Sequence, residues 1–159
     1  MDTMTKELIT IGIDPGKDGA MAVITPSETY VIPFSESDYA REFNRLGETC
    51  KETYRALCVL EHVGAMPGQG SVSMFNFGAN FGFIRGLLTA NRIPYELVRP
   101  QKWKKHFSCT SDKNTSIEVA QRLFPKLDLR RTPKCKGPHD GICEALLMAE
   151  YARRVIAHE

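Results

Sequence analysis

The feature that most constrains this chain lies near its start. An apolar run, Leu8 to Ile13, breaks off at Asp14-Pro15-Gly16. A run this short and apolar reads as a strand buried inside a sheet. Asp14 then sits where that strand empties into a tight turn. Asp-Pro and Pro-Gly are common turn dipeptides, so the residue has a structural explanation. A carboxylate at the mouth of a central strand also carries a desolvation penalty that a chemical role would justify. The remaining sequence decides between the two.

Gly19 to Thr25 and Thr29 to Pro33 read as the second and third strands, and their links, Pro15 to Asp18 and Pro26 to Glu28, suit antiparallel hairpins. Ser37 to Tyr54 carries Tyr39, Phe43, Leu46 and Cys50 at helical spacing, with Ser35 or Ser37 as N-cap. Ala56 to Leu60 predicts a buried parallel strand that ends, like the first, in a carboxylate, Glu61. Gly64 to Gly70 has the composition of a flexible loop. Ser71 to Asn91 follows as a long helix in which Gly78, Gly82 and Gly86 open one face to close approach, by the domain's own sheet or by a second copy. Pro94 to Val98 is a fifth strand. Pro100 to Phe107, Ser111 to Phe124 and Asp140 to Ala157 predict further helices, and Pro125 to Pro138 a basic loop. The fold class expected is α/β, a five-stranded mixed sheet flanked by helices, as one domain over residues 1–159.

Charge is distributed unevenly. From Arg99 to Lys136 there are eleven Lys or Arg and three Asp or Glu, a local +8 on a chain whose total is +2. Such a segment suits either a polyanionic partner or a solvated surface. No apolar run approaches the roughly 20 residues that span a bilayer, and Met1 to Glu7 lacks a signal-like apolar stretch. The expectation is an intracellular protein, in the cytoplasm of a bacterium or phage-infected host, or in an organelle after loss of a targeting segment. Five cysteines at irregular spacing argue against a disulfide framework. Cys135, His139 and Cys143 recur every four residues, but Gly137-Pro138 breaks any helix there and no fourth zinc ligand is evident, so free thiols are expected.

If the first and fourth strands are neighbours, Asp14 and Glu61 meet. Two close carboxylates repel unless a proton or cation is shared, and oxygen-rich clusters suit Mg²⁺ or Mn²⁺. Asp140 and Glu144, four apart, share a face at the start of the last helix. An N-cap and a first-turn acid would explain them too, yet Glu144 lies among Ile142, Cys143, Ala145 and Leu146, where burial is expected. Four such carboxylates could hold two cations, an arrangement that clamps the attacking water and leaving oxygen of a phosphodiester.

Three motifs in series carry a resemblance: Gly12-Ile13-Asp14-Pro15-Gly16, Leu60-Glu61-His62-Val63, and His139-Asp140-Gly141-Ile142-Cys143-Glu144 continuing to Ala149. Together, over Leu8 to Arg154, they resemble the RuvC-type Holliday-junction resolvases. Trp103 to Phe107 is similar to a stretch of the phage-type and organellar members. The resemblance implies a ribonuclease-H-like fold and a homodimer, which we assign to the 71–91 helix. It implies two metal-dependent sites, with two Mg²⁺ each and Mn²⁺ as substitute. The substrate implied is a four-way DNA junction cut by paired nicks, leaving 5′-phosphate and 3′-hydroxyl ends. By position Asp14 and Glu61 would be the first two metal-binding acids and Glu144 the last. The third acid of the bacterial pattern falls on Gly141, so Asp140 takes that role by the phage-like pattern. His139 is a neighbouring candidate as metal ligand or proton carrier. Lys113 matches a lysine near the scissile phosphate. Lys102, Lys104, Lys105, Arg130, Arg131, Lys134 and Lys136 are expected to contact phosphates, and Met66 or Phe75 to wedge between unstacked bases.

Other readings remain open at this stage. These are a junction-binding module without catalysis, a nuclease acting on RNA or DNA flaps, and an actin- or sugar-kinase-like ATPase. The last needs a second matching domain, for which 159 residues leave no room.

Overall fold

The computed structural model describes residues 5–64 and 67–159. Its elements in chain order are β1 (Glu7–Asp14), β2 (Ala20–Ile24), β3 (Thr29–Pro33), α1 (Glu36–Thr49), β4 (Tyr54–Glu61), α2 (Ser71–Ala90), β5 (Tyr95–Val98), α3 (Pro100–His106), α4 (Lys113–Leu123) and α5 (Asp140–Arg154). The sheet order is β3-β2-β1-β4-β5. β1 pairs antiparallel with β2 and parallel with β4, as the hairpin links and the buried run at Ala56 imply.

Strand periodicity divides the core. Ile9, Ile11 and Ile13 of β1 and Cys58 and Leu60 of β4 pack with α1 and α2 on one face of the sheet. Val59 packs on the opposite face with α3, α4 and α5. Side chains alternate along a strand, so Gly12 and Asp14 share the α5 face of β1, and Glu61 shares the face of Val59. The sheet therefore delivers both strand-end carboxylates to the same side.

α5 is buried from Gly141 to Ala152, because it lies across β1 and β2 and is covered by α4. Its closeness to β1 depends on Gly12, whose position leaves no room for a side chain against the α5 backbone. α2 is the opposite case. Only Ile84 and Leu88 are buried, and every residue from Ser71 to Asn76 is exposed.

Two helix ends differ from the sequence expectation by three residues or more. α1 begins after the Ser35 cap but stops at Thr49, where the Cys50 N–H bonds to Leu46 O; it does not continue to Tyr54. Tyr54 instead opens β4 opposite Glu7, since the chain must reverse there to lie beside β1. The last helix ends at Arg154, and Ile156–His158 forms a 3-10 turn in place of a helix reaching Ala157.

Candidate active site

β1 and β4 run parallel, so their carboxyl ends lie side by side and carry Asp14 and Glu61. α5 starts beside them and contributes Glu144 from its second turn. One carboxylate oxygen from each of Asp14, Glu61 and Glu144 lies within 4.8 Å of the others. Glu61 and Glu144 are buried and Asp14 is partly so.

Burial is the main reason that all three carboxyls hold their protons more tightly than usual. Asp14 is pushed well above its ordinary 3.8 by burial, then by the charges of Glu61, Glu144 and Asp140. Burial pushes Glu61 to about 7, the Trp103 hydrogen bond opposing it and Glu144 adding to it. Burial also raises Glu144, with Lys104 opposing. A dense, desolvated set of hard oxygen donors fits Mg²⁺ or Mn²⁺, because a divalent cation removes the repulsion that the fold has built up.

A pH dependence follows. The folded protein binds protons that the unfolded chain has released, from the ordinary glutamate value of 4.5 up to about 7 for Glu61. Folding stability contributed by this cluster is full below that window and falls as pH rises through it. In chelator, Tm is expected to fall between ~pH 5 and ~pH 8, and Mg²⁺ should restore most of the loss at the upper end. A chelated Tm that rises over this range, in differential scanning calorimetry, would contradict the cluster's electrostatics.

Asp140 stands apart from the triad. It is the first residue of α5, and its Oδ2 accepts from Lys113 Nζ at 2.6 Å. Burial raises Asp140, but the Lys113 ammonium outweighs that and leaves it below its ordinary value. The α5 cap is His139, whose Nδ1 accepts from the Gly141 N–H at 3.1 Å. A neutral His139 accepting at Nδ1 carries its proton on Nε2 and so offers a donor, not a base. Gly141 has a steric reason to lack a side chain: a Cβ there would lie 2.8 Å from Asp18 O and 3.1 Å from Asp14 Oδ2. An acid at 141 does not fit this chain's turn.

These groups border an open cleft of about 540 Å³. Asp14, Lys113, His139 and Asp140 line it together with Gln69, Asn76 and Asn80. The two asparagines sit four apart on α2, a polar pair that sequence reading passed over among the phenylalanines.

The basic residues divide. Lys104 Nζ lies 3.5 Å from Glu144 Oε1, inside the site. Arg131 donates to the carbonyls of Lys17, Asp18 and Gly19, bracing the turn beside Asp14. Arg130 pairs with Asp128 on the surface. Lys102, Lys105, Lys134 and Lys136 are exposed. Phe75 is 76% exposed, which rules out core packing. Met66 lies outside the described residues. Cys135 is exposed, Cys143 is buried and all five thiols are free. Among the described residues the acidic triad is the one group placed to hold a metal; Cys135, His139 and Cys143 do not form another. No described helix is long and apolar enough to cross a membrane.

No protein-family model matches this chain, and no curated protein matches it in sequence. Solved structures do. The fold they define is the ribonuclease-H-like α/β fold, five mixed strands with the first three antiparallel. Within that fold, the chain is similar to the following solved structures. T. thermophilus RuvC in complex with Holliday junction substrate superposes with a TM-score of 0.59 at 12% identity, over 92% of this chain and 96% of that one. A second Thermus thermophilus RuvC structure gives 0.54 at 15%, over 91% and 95%. The yeast mitochondrial Holliday junction resolvase Ydc2 gives 0.50 at 13%, over 91% and 76%.

Proposed function

We propose that this chain is a RuvC-type endonuclease that resolves four-way DNA junctions by metal-dependent phosphodiester hydrolysis. The observation that carries the reading is the meeting of Asp14, Glu61 and Glu144, within 4.8 Å, at the carboxyl ends of β1 and β4. The likeness in fold to two Holliday-junction resolvases supports the substrate class.

Asp14, Glu61 and Glu144 would hold the cation, with Asp140 at the rim for a second. When bound, such cations supply Lewis-acid chemistry, acidifying a water and stabilising charge on the departing 3′ oxygen. Lys113, exposed at the cleft and fixed by Asp140, offers an ammonium to the charge that grows on the scissile phosphate. His139 offers its Nε2–H to a phosphate oxygen. The exposed lysines give sequence-independent affinity with strong salt dependence. Phe75, on the open end of α2, is available to stack on an unpaired base.

The test is cleavage of a synthetic four-way junction against linear duplex of the same sequence, with Mg²⁺. Selective paired nicks, ligatable without end repair, support the proposal. Equal cutting of both substrates would remove the structure selectivity. Junction binding without nicking in Mg²⁺ or Mn²⁺ would leave a binding module.

A homodimer through α2 belongs to the same reading. A Cβ added at Gly78, Gly82 or Gly86 meets nothing within 4 Å, so that face is open, and Val72 is 73% exposed near one end of the helix. Gly82→Leu therefore fits the protomer and gains roughly 1 kcal/mol of helix propensity. It is expected to block close helix approach and shift dimer to monomer in sedimentation velocity at unchanged circular dichroism. A Gly82→Leu chain that dimerises as the parent does would place the interface elsewhere.

A further inference from the structure

We propose that Trp103 is a positioning residue for Glu61: its indole N–H holds that carboxylate in the orientation in which it joins Asp14 and Glu144. The inference rests on the reading of those three acids as a cation site.

Trp103 Nε1 donates to Glu61 Oε2 at 2.8 Å. The ring is fully buried and Glu61 is only 6% exposed, so water does not compete freely for either partner. Sheet register explains the meeting. Glu61 of β4 pairs with Val98 of β5, and the His62 N–H bonds to Val98 O. α3 starts two residues later, with Pro100 in its first turn, and reaches Trp103 after one turn. The indole is thus brought back over the strand end that carries the carboxylate.

Core packing alone leaves the N–H unexplained. Trp103 belongs to the cluster with Val59, Val98, Phe107 and Ile142, where a phenylalanine ring would also serve. A buried indole N–H is tolerated when it has an acceptor, and here the acceptor is a site carboxylate. An indole has one donor, so it ties one carboxylate oxygen and leaves the other for a further partner. Carboxylate torsions are otherwise broad and roughly two-fold, so this single bond removes a real freedom. Outer partners that orient metal-binding groups typically change metal affinity by about 10- to 100-fold.

Trp103 is the only tryptophan in the chain, which makes it a spectroscopic reporter of its own role. Mn²⁺ affinity is measured by electron paramagnetic resonance on the whole protein without DNA, for the parent, Trp103→Phe and Phe107→Leu. Phe107→Leu disturbs the same core without touching an acid. The expected result is about tenfold weaker Mn²⁺ binding in Trp103→Phe with native circular dichroism, and parent-like binding in Phe107→Leu. In the parent, Mg²⁺ should change tryptophan emission along a saturable curve. Trp103→Phe binding Mn²⁺ within about twofold of the parent would overturn the proposal. Should that variant not fold, parent emission that stays flat while Mn²⁺ binds would overturn it equally. A parent that binds no Mn²⁺ removes the cation site itself, and Trp103 positioning with it.

Discussion

Asp14→Asn is expected to abolish junction cleavage, lowering the rate by about 10³-fold or more, on the order of 4 kcal/mol of transition-state stabilisation. The substitution keeps shape and hydrogen-bonding capacity and removes one negative charge. That charge is the central one of the cluster: Glu61, Glu144 and Asp140 all push the Asp14 carboxyl upward, which requires all three to lie close to it. An amide there weakens cation binding and leaves the remaining acids unbridged. The same change should stabilise the metal-free fold at neutral pH, because it removes a charge that burial and three like charges disfavour. The predicted pattern is therefore specific: no cleavage, unimpaired junction binding in EDTA, and a Tm at or above that of the parent. Mn²⁺ titration should show weaker binding. An Asp14→Asn protein that nicks junctions at the parental rate would refute the site, and one that loses Tm would show that Asp14 is chiefly a turn residue.

Much of this site is legible in the sequence because strand ends and helix starts have readable addresses. Asp14 and Glu61 each close a short apolar run, and period-two alternation sends both to one face. Glu144 is legible as an acid set among Ile142, Cys143, Ala145 and Leu146 in a helix expected to be buried. The less legible parts depend on directions that local sequence does not set. Asp140 and Glu144 share a helix face, yet Asp140 turns to Lys113 and only Glu144 joins the triad. Arg131 reads as one more phosphate contact in a basic loop, but the fold folds that loop back onto the β1–β2 turn and uses its guanidinium on three carbonyls. Trp103 reads only as part of a stretch similar to phage-type and organellar members, since the register that brings it to Glu61 is a property of β4 and β5 together. The sequence pattern overextends α1 for a related reason: Cys50 keeps the helical spacing, while the pairing that stops the helix, Tyr54 with Glu7, is more than forty residues away in sequence.

Gly12→Ala is expected to be among the most damaging single-methyl changes in the chain. A Cβ built at Gly12 lies 2.2 Å from Ala145 O, 2.3 Å from Ala149 N and 2.8 Å from Met148 C. All three are backbone atoms of α5, so no rotamer change can relieve the contact. Either α5 lifts from the sheet or β1 bends, and both are buried along most of their length. Ordinary overpacking costs about 1–3 kcal/mol, where side chains can yield; a clash with helix backbone should exceed that range. At this chain length, 3 kcal/mol lowers Tm by roughly 10 °C, out of a total stability of about 5–15 kcal/mol. The damage also reaches the site, since Ala145 follows Glu144 and Gly12 precedes Asp14 by two residues on the same face of β1. Any protein that does fold should bind Mn²⁺ weakly and cut poorly, because the α5 acid is displaced from the β1 acid. Gly137→Ala is the control: its Cβ meets nothing within 4 Å and it lies away from α2, so it should hold Tm. If Gly12→Ala instead melts with the parent, β1 and α5 are not in backbone contact, and the close approach that joins Asp14 to Glu144 fails with it.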